Sequence, residues 1–466
     1  MKYYTLLFIS LCFLSGPTVS SAQDVQLDST FLTSSDLATG LQVPWEIKWG
    51  QDDHLWVTER RGRILRIDPT NGNTVTVLDY ENEVLEESSE YGMLGMALHP
   101  DFPNTPVLYV VYCYLQGGNI RERLSSFRWN GTELGDETII FNDIPGAGIH
   151  DGSRLLITTD NKILMTTGDR GNGDLSQNMQ SLNGKILRMN LDGSLPDDNP
   201  VSGSYVYSYG HRNAQGLAYG PNGQIYSSEH GAQQWDEFNL IEANRNYGWP
   251  AVQGRCNTSS EIAFCDANNV REPLDEWAPC VAVNDIIYYD HPAIPEWQGK
   301  MLMAVLGGFV RAPRLSILTF NEDGTEVINE EQVLDNIGRV RDVAINPHTG
   351  SVYVATNGNF YPGSGPNRII EFRNEAFMPN SVNTPNIPAQ FIHVSPIPVS
   401  DQLQIQLSDN FIGRPLEVHS FNGQQVLKTI ITSARLEIPA SDWAPGMYFL
   451  RASKDEGTIT RTFAVQ

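Results

Sequence analysis

Four short stretches of this sequence carry side chains that chemistry can use. The first, Gly146-Ala-Gly-Ile-His-Asp-Gly-Ser-Arg154, sets His150 in a glycine-rich turn. An imidazole titrates near neutral pH, so it can accept the proton of a hydroxyl group. Taken alone, such a histidine can equally be structural or simply exposed. The second and third stretches hold arginines: Arg212 in GHRNAQG, and Arg339 with Arg341 in GRVRDV. Guanidinium groups bind carboxylates and phosphates through paired hydrogen bonds, so three together suit a multiply anionic ligand. The plainer alternative is that Asp342 and other carboxylates neutralise them. The fourth stretch, Glu229-His-Gly-Ala-Gln-Gln-Trp-Asp-Glu237 ahead of Asn246-Tyr-Gly-Trp-Pro250, is the densest in polar groups. Closely spaced carboxylates, amides and carbonyls suit a hard cation such as Ca²⁺, although the spacing is not that of an EF-hand loop. An acidic turn without metal is the competing reading.

These residues need a frame that brings them together, and the sequence repeats one. A turn leads into an apolar strand, then a polar turn, then a second strand rich in Val, Ile, Tyr and Trp. The phrase begins at Gly40, Gly92, Ile149 and Gly210, more weakly at Gly299 with RLSILTF following, and again at Gly338. Turns of the DD, PN, DN, PNG and PHTG kind between the strands suit hairpins. Short antiparallel sheets recurring at about 40–60 residues are the signature of a β-propeller. Six phrases predict an all-β fold, a six-bladed β-propeller. His150 and the three arginines all fall where a phrase starts, so the blades would bring them to one axis. Long insertions at about 170–182 and 250–295 would decorate the functional face.

The ends of the chain read differently. Lys2, the apolar run Tyr3–Leu14 and Ser20-Ser21-Ala22 make residues 1–22 a signal peptide, too short for a stable membrane span. No later stretch predicts a span. Residues 23–377 form the propeller, and the Pro- and Asn-rich stretch 378–390 a linker. Residues 391–466 read as alternating strands at Gln402–Leu407, Leu416–Ser420, Ile430–Ile438 and Tyr448–Ser453, enough for a small C-terminal β-sandwich. The pieces Ser395-Pro-Ile-Pro-Val-Ser-Asp401, Phe421-Asn-Gly-Gln-Gln-Val426 and Ala444-Pro-Gly-Met-Tyr-Phe-Leu450 resemble the C-terminal sorting domain of type IX secretion cargo. That resemblance implies the secretion machinery as a partner and a secreted or cell-surface location, reached via the periplasm. In an oxidising compartment Cys256 and Cys265 could close a short loop by a disulfide; metal binding is the rival reading, without a CxxC to support it. Partners for Cys113 and Cys280 stay open. A net charge of −24 argues against nucleic acid and anionic membranes as partners.

From about 40 to 373 the body resembles the soluble, pyrroloquinoline-quinone-dependent sugar dehydrogenases, which are six-bladed propellers. The matching pieces run in order: Tyr91-GMLGMALHPDF102, His150 with SRLLITTDNKILMTTGD, Gly184-KILRMNLDGSLPDDNP200, Tyr209-GHRNAQGLAY219, Asn239-LIEANRNYGWP250 and Arg339-VRDV343. The resemblance implies an oxidoreductase that oxidises a sugar or related alcohol and passes electrons to an external acceptor, with the quinone (PQQ) and Ca²⁺ as cofactors. It makes His150 the general base, with Arg212 beside it at the reacting centre. Arg212, Asn213, Arg339 and Arg341 would hold or face the tricarboxylate cofactor, with Gln215 in the same motif. Glu90 stands where the family's glucose enzyme has a glutamine near the substrate. The carbonyls of Gly231 and Ala232 match ligands of the cofactor-bound Ca²⁺, and Glu237 with Tyr247 those of a second, structural ion. Two positions depart from the pattern. Ile149 replaces an aspartate found in the glucose enzyme, and the lysine expected near 307 is absent from Leu306-Gly-Gly-Phe-Val-Arg311, where Arg311 could substitute. A non-catalytic extracellular binding propeller is the alternative these departures favour.

Overall fold

The computed structural model describes residues 23–85, 89–308, 311–358, 365 and 367–377, and, towards the C-terminus, 392–395, 399, 401–407, 411–420, 424–454 and 457–465. The expected signal peptide (1–22) and linker (378–390) lie outside the described residues. The chain divides into two compact units, Met1–Met378 and Pro379–Gln466.

The first unit is all-β apart from short helices, and its strands form six antiparallel sheets. Each sheet begins with an inner strand: β1 (Pro44–Trp49), β2 (Met93–Leu98), β3 (Leu155–Ile157), β4 (Ala214–Tyr219), β5 (Val283–Tyr289) and β6 (Val340–Ile345). β1 lies beside β2, and each inner strand beside the next until β6 returns to β1. The sheets therefore follow one another in a circle. Being covered on both faces, their strands are apolar on both; Leu55–Glu59 and Val352–Asn357 are buried at every position. Adjacent sheets share their cores: Trp56 and Ile64 pack with Met93, Leu108 and Phe127, and Tyr226 and Phe238 with Val283, Met301 and Leu318. Each such side chain contributes on the order of 1.5–3 kcal/mol by burial.

The circle is closed by the N-terminal end of the described chain. Strand Phe31–Thr39 pairs antiparallel with Asn367–Arg373, placing Thr33 opposite Arg373 and Thr39 opposite Arg368. Buried Arg368 reaches across to Asp36 at 2.9 Å. Glu296 pins the residues just before that strand, accepting both the amide and hydroxyl of Ser29 at 2.8 Å and the Thr30 hydroxyl at 2.8 Å.

The fifth phrase was one strand out of phase. Lys300–Val305 and Arg314–Phe320 are the second and third strands of their sheet, and the inner strand, Val283–Tyr289, lies inside the stretch read as an insertion. The other inner strands follow glycine or serine turns or Val43-Pro44, whereas here the positive φ is held by Ala282 at 60°. The true insertion holds a ten-residue helix, Ser259–Asn268, capped by Thr258 and Glu261 and tied back by the Cys256–Cys265 disulfide. Cys113 and Cys280 are free thiols.

The second unit has a three-stranded sheet (Ile392–Ser395, Gln402–Leu407, Arg435–Pro439) and a four-stranded one (Gln425–Ile430, Pro415–Ser420, Gly446–Lys454, Gly457–Val465). Leu403 and Ile405 of the first share one buried cluster with Leu416, Val418, Leu450 and Phe463 of the second. The single strand expected over Ile430–Ile438 is two, because the chain changes sheets between Ile430 and Arg435. Among the described residues no helix is long and apolar enough to cross a membrane.

Candidate active site

The turns that open the inner strands converge on one pole. A cavity of about 110 Å³ there is lined by residues from all six sheets, among them Arg60, Glu90, Asp151, Asn213, Leu306 and Arg341. Larger depressions of about 660 and 510 Å³ lie beside the 259–268 helix and at the opposite ends of the inner strands, and two more of about 390 and 320 Å³ lie elsewhere on this unit. None of the four has an imidazole among its lining residues, whereas His230 lines the axial cavity, which makes it the candidate site.

His150 stands beside it, in a left-handed conformation (φ 59°). Gly168 makes room: a side chain there would begin 1.7 Å from the His150 carbonyl oxygen. The ring is held at both nitrogens. Nδ1 lies 2.7 Å from Asp169 Oδ1, and Nε2 lies 3.1 Å from an Arg212 Nη. Arginine can only donate, so Nε2 must be the acceptor and Nδ1 carries the proton given to Asp169. That tautomer leaves the Nε2 lone pair to take a hydroxyl proton. Burial would raise the Asp169 carboxyl, but hydrogen bonds from His150, Gly171 and the Trp249 indole outweigh it and hold it below its usual range. The sequence reading missed Asp169; an Asp closing the strand that follows His150, in TTGD, was the available signal.

Arg212 also donates to the His230 carbonyl at 3.0 Å and lies over the Trp249 ring at 5.4 Å, yet its Nε is buried without a partner, as is His230 Nε2. Glu229 holds the 211–213 turn through His211 Nδ1 at 2.9 Å and the amides of Arg212 and Asn213. Asn213 accepts the Gly152 amide and the Gln215 side chain, each at 3.1 Å, and Gln215 accepts from Arg341 at 3.3 Å. Arg339 and Arg341 line the same cavity. Burial, together with Arg339, Arg154 and Arg60 nearby, pushes the Arg341 guanidinium down to about 9. Asp342 does not neutralise it. Its two oxygens serve the Ile47 amide at 3.0 Å and Arg154 at 2.6 Å. Arg154, also unforeseen, lies fully buried on the axis, where it pairs with Glu46 at 2.6 Å and sits 4.5 Å beneath the Trp45 ring.

Glu90 joins the group, accepting the His150 amide at 3.0 Å. Arg311 does not: it is exposed, bridged antiparallel to Gly308, and is absent from the lining. Leu306 lines the cavity instead, and Arg60, which sequence reading did not single out, adds a guanidinium from another sheet. Gly231 and Ala232 follow His230, whose carbonyl Arg212 touches, so they border the site. Glu237 and Tyr247 lie outside the lining. Glu237 is buried and accepts the Gly254 amide at 2.8 Å and Asn239 at 3.0 Å; burial and Glu229 lift its carboxyl to about 8. Tyr247 stacks on His211 at 4.5 Å, and its hydroxyl is used by Leu240 and Glu242. Among the described residues no group of three His, Cys, Asp or Glu side chains could hold a metal.

A ring of antiparallel sheets with a doubly held imidazole and an arginine-lined cavity at one pole defines a class, and sequence comparison gives it a family. Residues 41–361 match the family described as glucose/sorbosone dehydrogenase, and residues 393–466 match the secretion system C-terminal sorting domain. This chain belongs to the glucose/sorbosone dehydrogenase family and carries a type IX sorting domain, which marks it as secreted or cell-surface. It is 36% identical to an uncharacterised protein of Synechocystis sp., over 74% of this chain and 88% of that one. It is also 36% identical to quinoprotein glucose dehydrogenase B of Acinetobacter calcoaceticus, over 47% of this chain and 52% of the other. A PQQ-bound aldose sugar dehydrogenase from Streptomyces coelicolor superposes with a TM-score of 0.62 at 30% identity, covering 74% of this chain and 99% of that one.

Proposed function

We propose that this protein is a PQQ- and calcium-dependent dehydrogenase that oxidises a sugar or related alcohol and passes the electrons to an external acceptor. The fold reading that goes with it is a six-bladed propeller over 23–377 and a sorting β-sandwich over 391–466, joined by a linker at 378–390. The observation that carries the proposal is the pairing of His150, its tautomer set by Asp169 and Arg212, with the arginine-lined cavity.

The cavity's chemistry fits a polycarboxylate. Arg341 is buried among other cations, and Arg212 Nε and His230 Nε2 are buried donors or acceptors left unused. Arg212, Asn213, Arg339, Arg341 and Arg60 would hold the cofactor, with Glu90 on the substrate side. The carbonyls of Gly231 and Ala232 suit a hard cation bound with it. For a second ion, Glu237 and the Tyr247 carbonyl would be joined by Asn239, whose Oδ1 is buried without a partner. When bound, the quinone supplies a hydride acceptor and the calcium ion a Lewis acid that polarises it.

The chain's own work is proton handling and orientation. His150 Nε2 takes the substrate hydroxyl proton in place of its contact with Arg212. Asp169 stabilises the imidazolium through Nδ1, and Trp249 and Gly171 keep the carboxylate in position. Ile149, 42% exposed next to the base, offers no hydrogen bond, so glucose is not the expected best substrate. Reconstitution with PQQ and CaCl₂ followed by dye reduction across a panel of sugars tests the reading. A quinone spectrum without turnover on any sugar would favour the binding propeller, the alternative to which Ile149 and Leu306 point.

A further inference from the structure

One wall of the axial cavity carries acidic groups that the reaction above does not use. Asp151 lines the cavity and is only 3% exposed. Its Oδ1 accepts the Ala147 amide at 3.0 Å, while Oδ2 is buried without a hydrogen-bond partner. Behind it Glu122 is fully buried, with Oε2 3.4 Å from the Ser153 hydroxyl and Oε1 without a partner. The same hydroxyl lies 3.0 Å from the Asp151 backbone carbonyl oxygen, and the Asp151 carboxyl is near enough to act on that of Glu122. Glu90 acts on Asp151 too, and the cation acting on both Asp151 and Glu122, Arg170, is exposed. Buried carboxylates crowded in this way, with only an exposed cation acting on both, favour the protonated form.

We infer that Asp151 is protonated when the cavity holds an anionic ligand, and that its Oδ2–H is the hydrogen-bond donor this wall offers. As a carboxylate it would repel a polycarboxylate; as an acid it donates to one. The inference rests on the cofactor reading above, and it makes ligand binding take up a proton at alkaline pH. Burial lifts the Asp151 carboxyl to about 8, against the pull of the Ala147 amide and Arg170, with Glu90 adding to the lift. Glu122 behind it is raised well above its ordinary value, also chiefly by burial. The Cys113 thiol nearby is likewise pushed up by burial, and His230 across the cavity is held down by it. Arg60, Arg339 and Arg341 face the same space, and Arg341, pushed down to about 9, is about a quarter neutral at pH 8.5 in the wild type and in a variant at position 151 alike.

Two measurements decide it, on the full chain and on Asp151→Asn, which keeps a donor and loses the exchangeable proton. In the first, without cofactor, the infrared C=O band of a protonated carboxylic acid is recorded at pH 7. It should weaken in Asp151→Asn, and in the wild type it should fade as pH rises through about 8. In the second, PQQ with CaCl₂ is titrated calorimetrically at pH 8.5 in two buffers of different ionisation heat. The wild type should take up about three-quarters of a proton more than Asp151→Asn, the fraction ionised half a unit above that value. Asp151→Asn should lack that share of the uptake. An infrared band unchanged by the substitution means that Asp151 is ionised and overturns the inference, whatever the quinone does. Equal uptake by both proteins overturns it as well. Failure of the wild type to bind quinone at any pH instead sinks the cofactor reading, while the infrared result still decides the state of Asp151.

Discussion

Replacing Asp169 by asparagine separates its charge from its shape. The carboxylate accepts His150 Nδ1–H at 2.7 Å, the Gly171 amide at 2.8 Å and the Trp249 indole at 2.8 Å. Asparagine is the same size and still offers one acceptor, so the loop should stay in place. What disappears is the negative charge opposite an imidazole that becomes positive when it takes the hydroxyl proton. A hydrogen bond to a charged group is worth about 1.5–3 kcal/mol. The His150 side chain is only 13% exposed, so solvent screens the pair little and the full range applies. At 1.36 kcal/mol per decade, kcat should fall roughly 10- to 150-fold. KM should stay within a few-fold, because the ground-state sugar does not yet feel the charge. Asp169 is held below the usual carboxylate range, so it is ionised throughout neutral and alkaline conditions. Titration of Asp169 itself should therefore add no pH dependence to the deficit between about pH 6 and 9. The assay is steady-state dye reduction by PQQ-loaded protein, with the visible spectrum confirming equal cofactor loading. A kcat within threefold of the wild type, at equal loading, would refute the His150–Asp169 pairing as a working dyad.

His150→Ala should abolish turnover yet leave quinone binding largely intact by visible titration; lost binding would make His150 a structural contact. Arg154→Met leaves Asp342 buried without its ion-pair partner and Glu46 with Lys48 alone, and breaking such a buried pair costs about 3–5 kcal/mol. The guanidinium-chloride midpoint should drop with an unchanged slope, and a loss under about 1 kcal/mol would show that the carboxyls simply protonate. Glu296 is held down at about 2: burial would lift it, but the Ser29 amide and hydroxyl and the Thr30 hydroxyl prevail. Its stabilisation is present above the ordinary carboxyl range and lost as pH falls towards that value. Glu296→Gln should therefore melt earlier than the wild type at pH 6, with the gap closing between about pH 4.5 and pH 2; a gap that persists at pH 2 would mean the effect is not electrostatic.

Much of this arrangement could be read from local patterns, and the misses have physical causes. The turns carrying His150, Arg212, Arg339 and Arg341 announce themselves because polar residues there interrupt strongly apolar strands. The fifth inner strand hid because Ala282 holds a backbone conformation that a pattern search expects of glycine. Strand Phe31–Thr39 hid because half its residues are polar and its partner is more than 300 positions away. Asp169 was signalled only by its place at the end of TTGD and Arg154 not at all, since an aspartate after a strand or an arginine beginning one does not name the atom it will meet. Arg311 was drawn in by nearness in sequence to the position of a missing lysine, and its antiparallel bridge to Gly308 leaves it outside the cavity. The exported character of the chain was the most legible feature, because the C-terminal motifs are contiguous.

The pairing of residues 31–39 with 367–373 has a kinetic corollary. Until the last inner sheet has been made, the earliest strand has no partner, and two raw sheet margins remain able to recruit other chains. Sealing them requires the ends of a very long loop to meet, a slow and largely entropic search. Maturation of this protein should thus finish with a single late zippering event, and fragments lacking either residues 31–39 or residues 367–373 should aggregate rather than persist as smaller folded bodies.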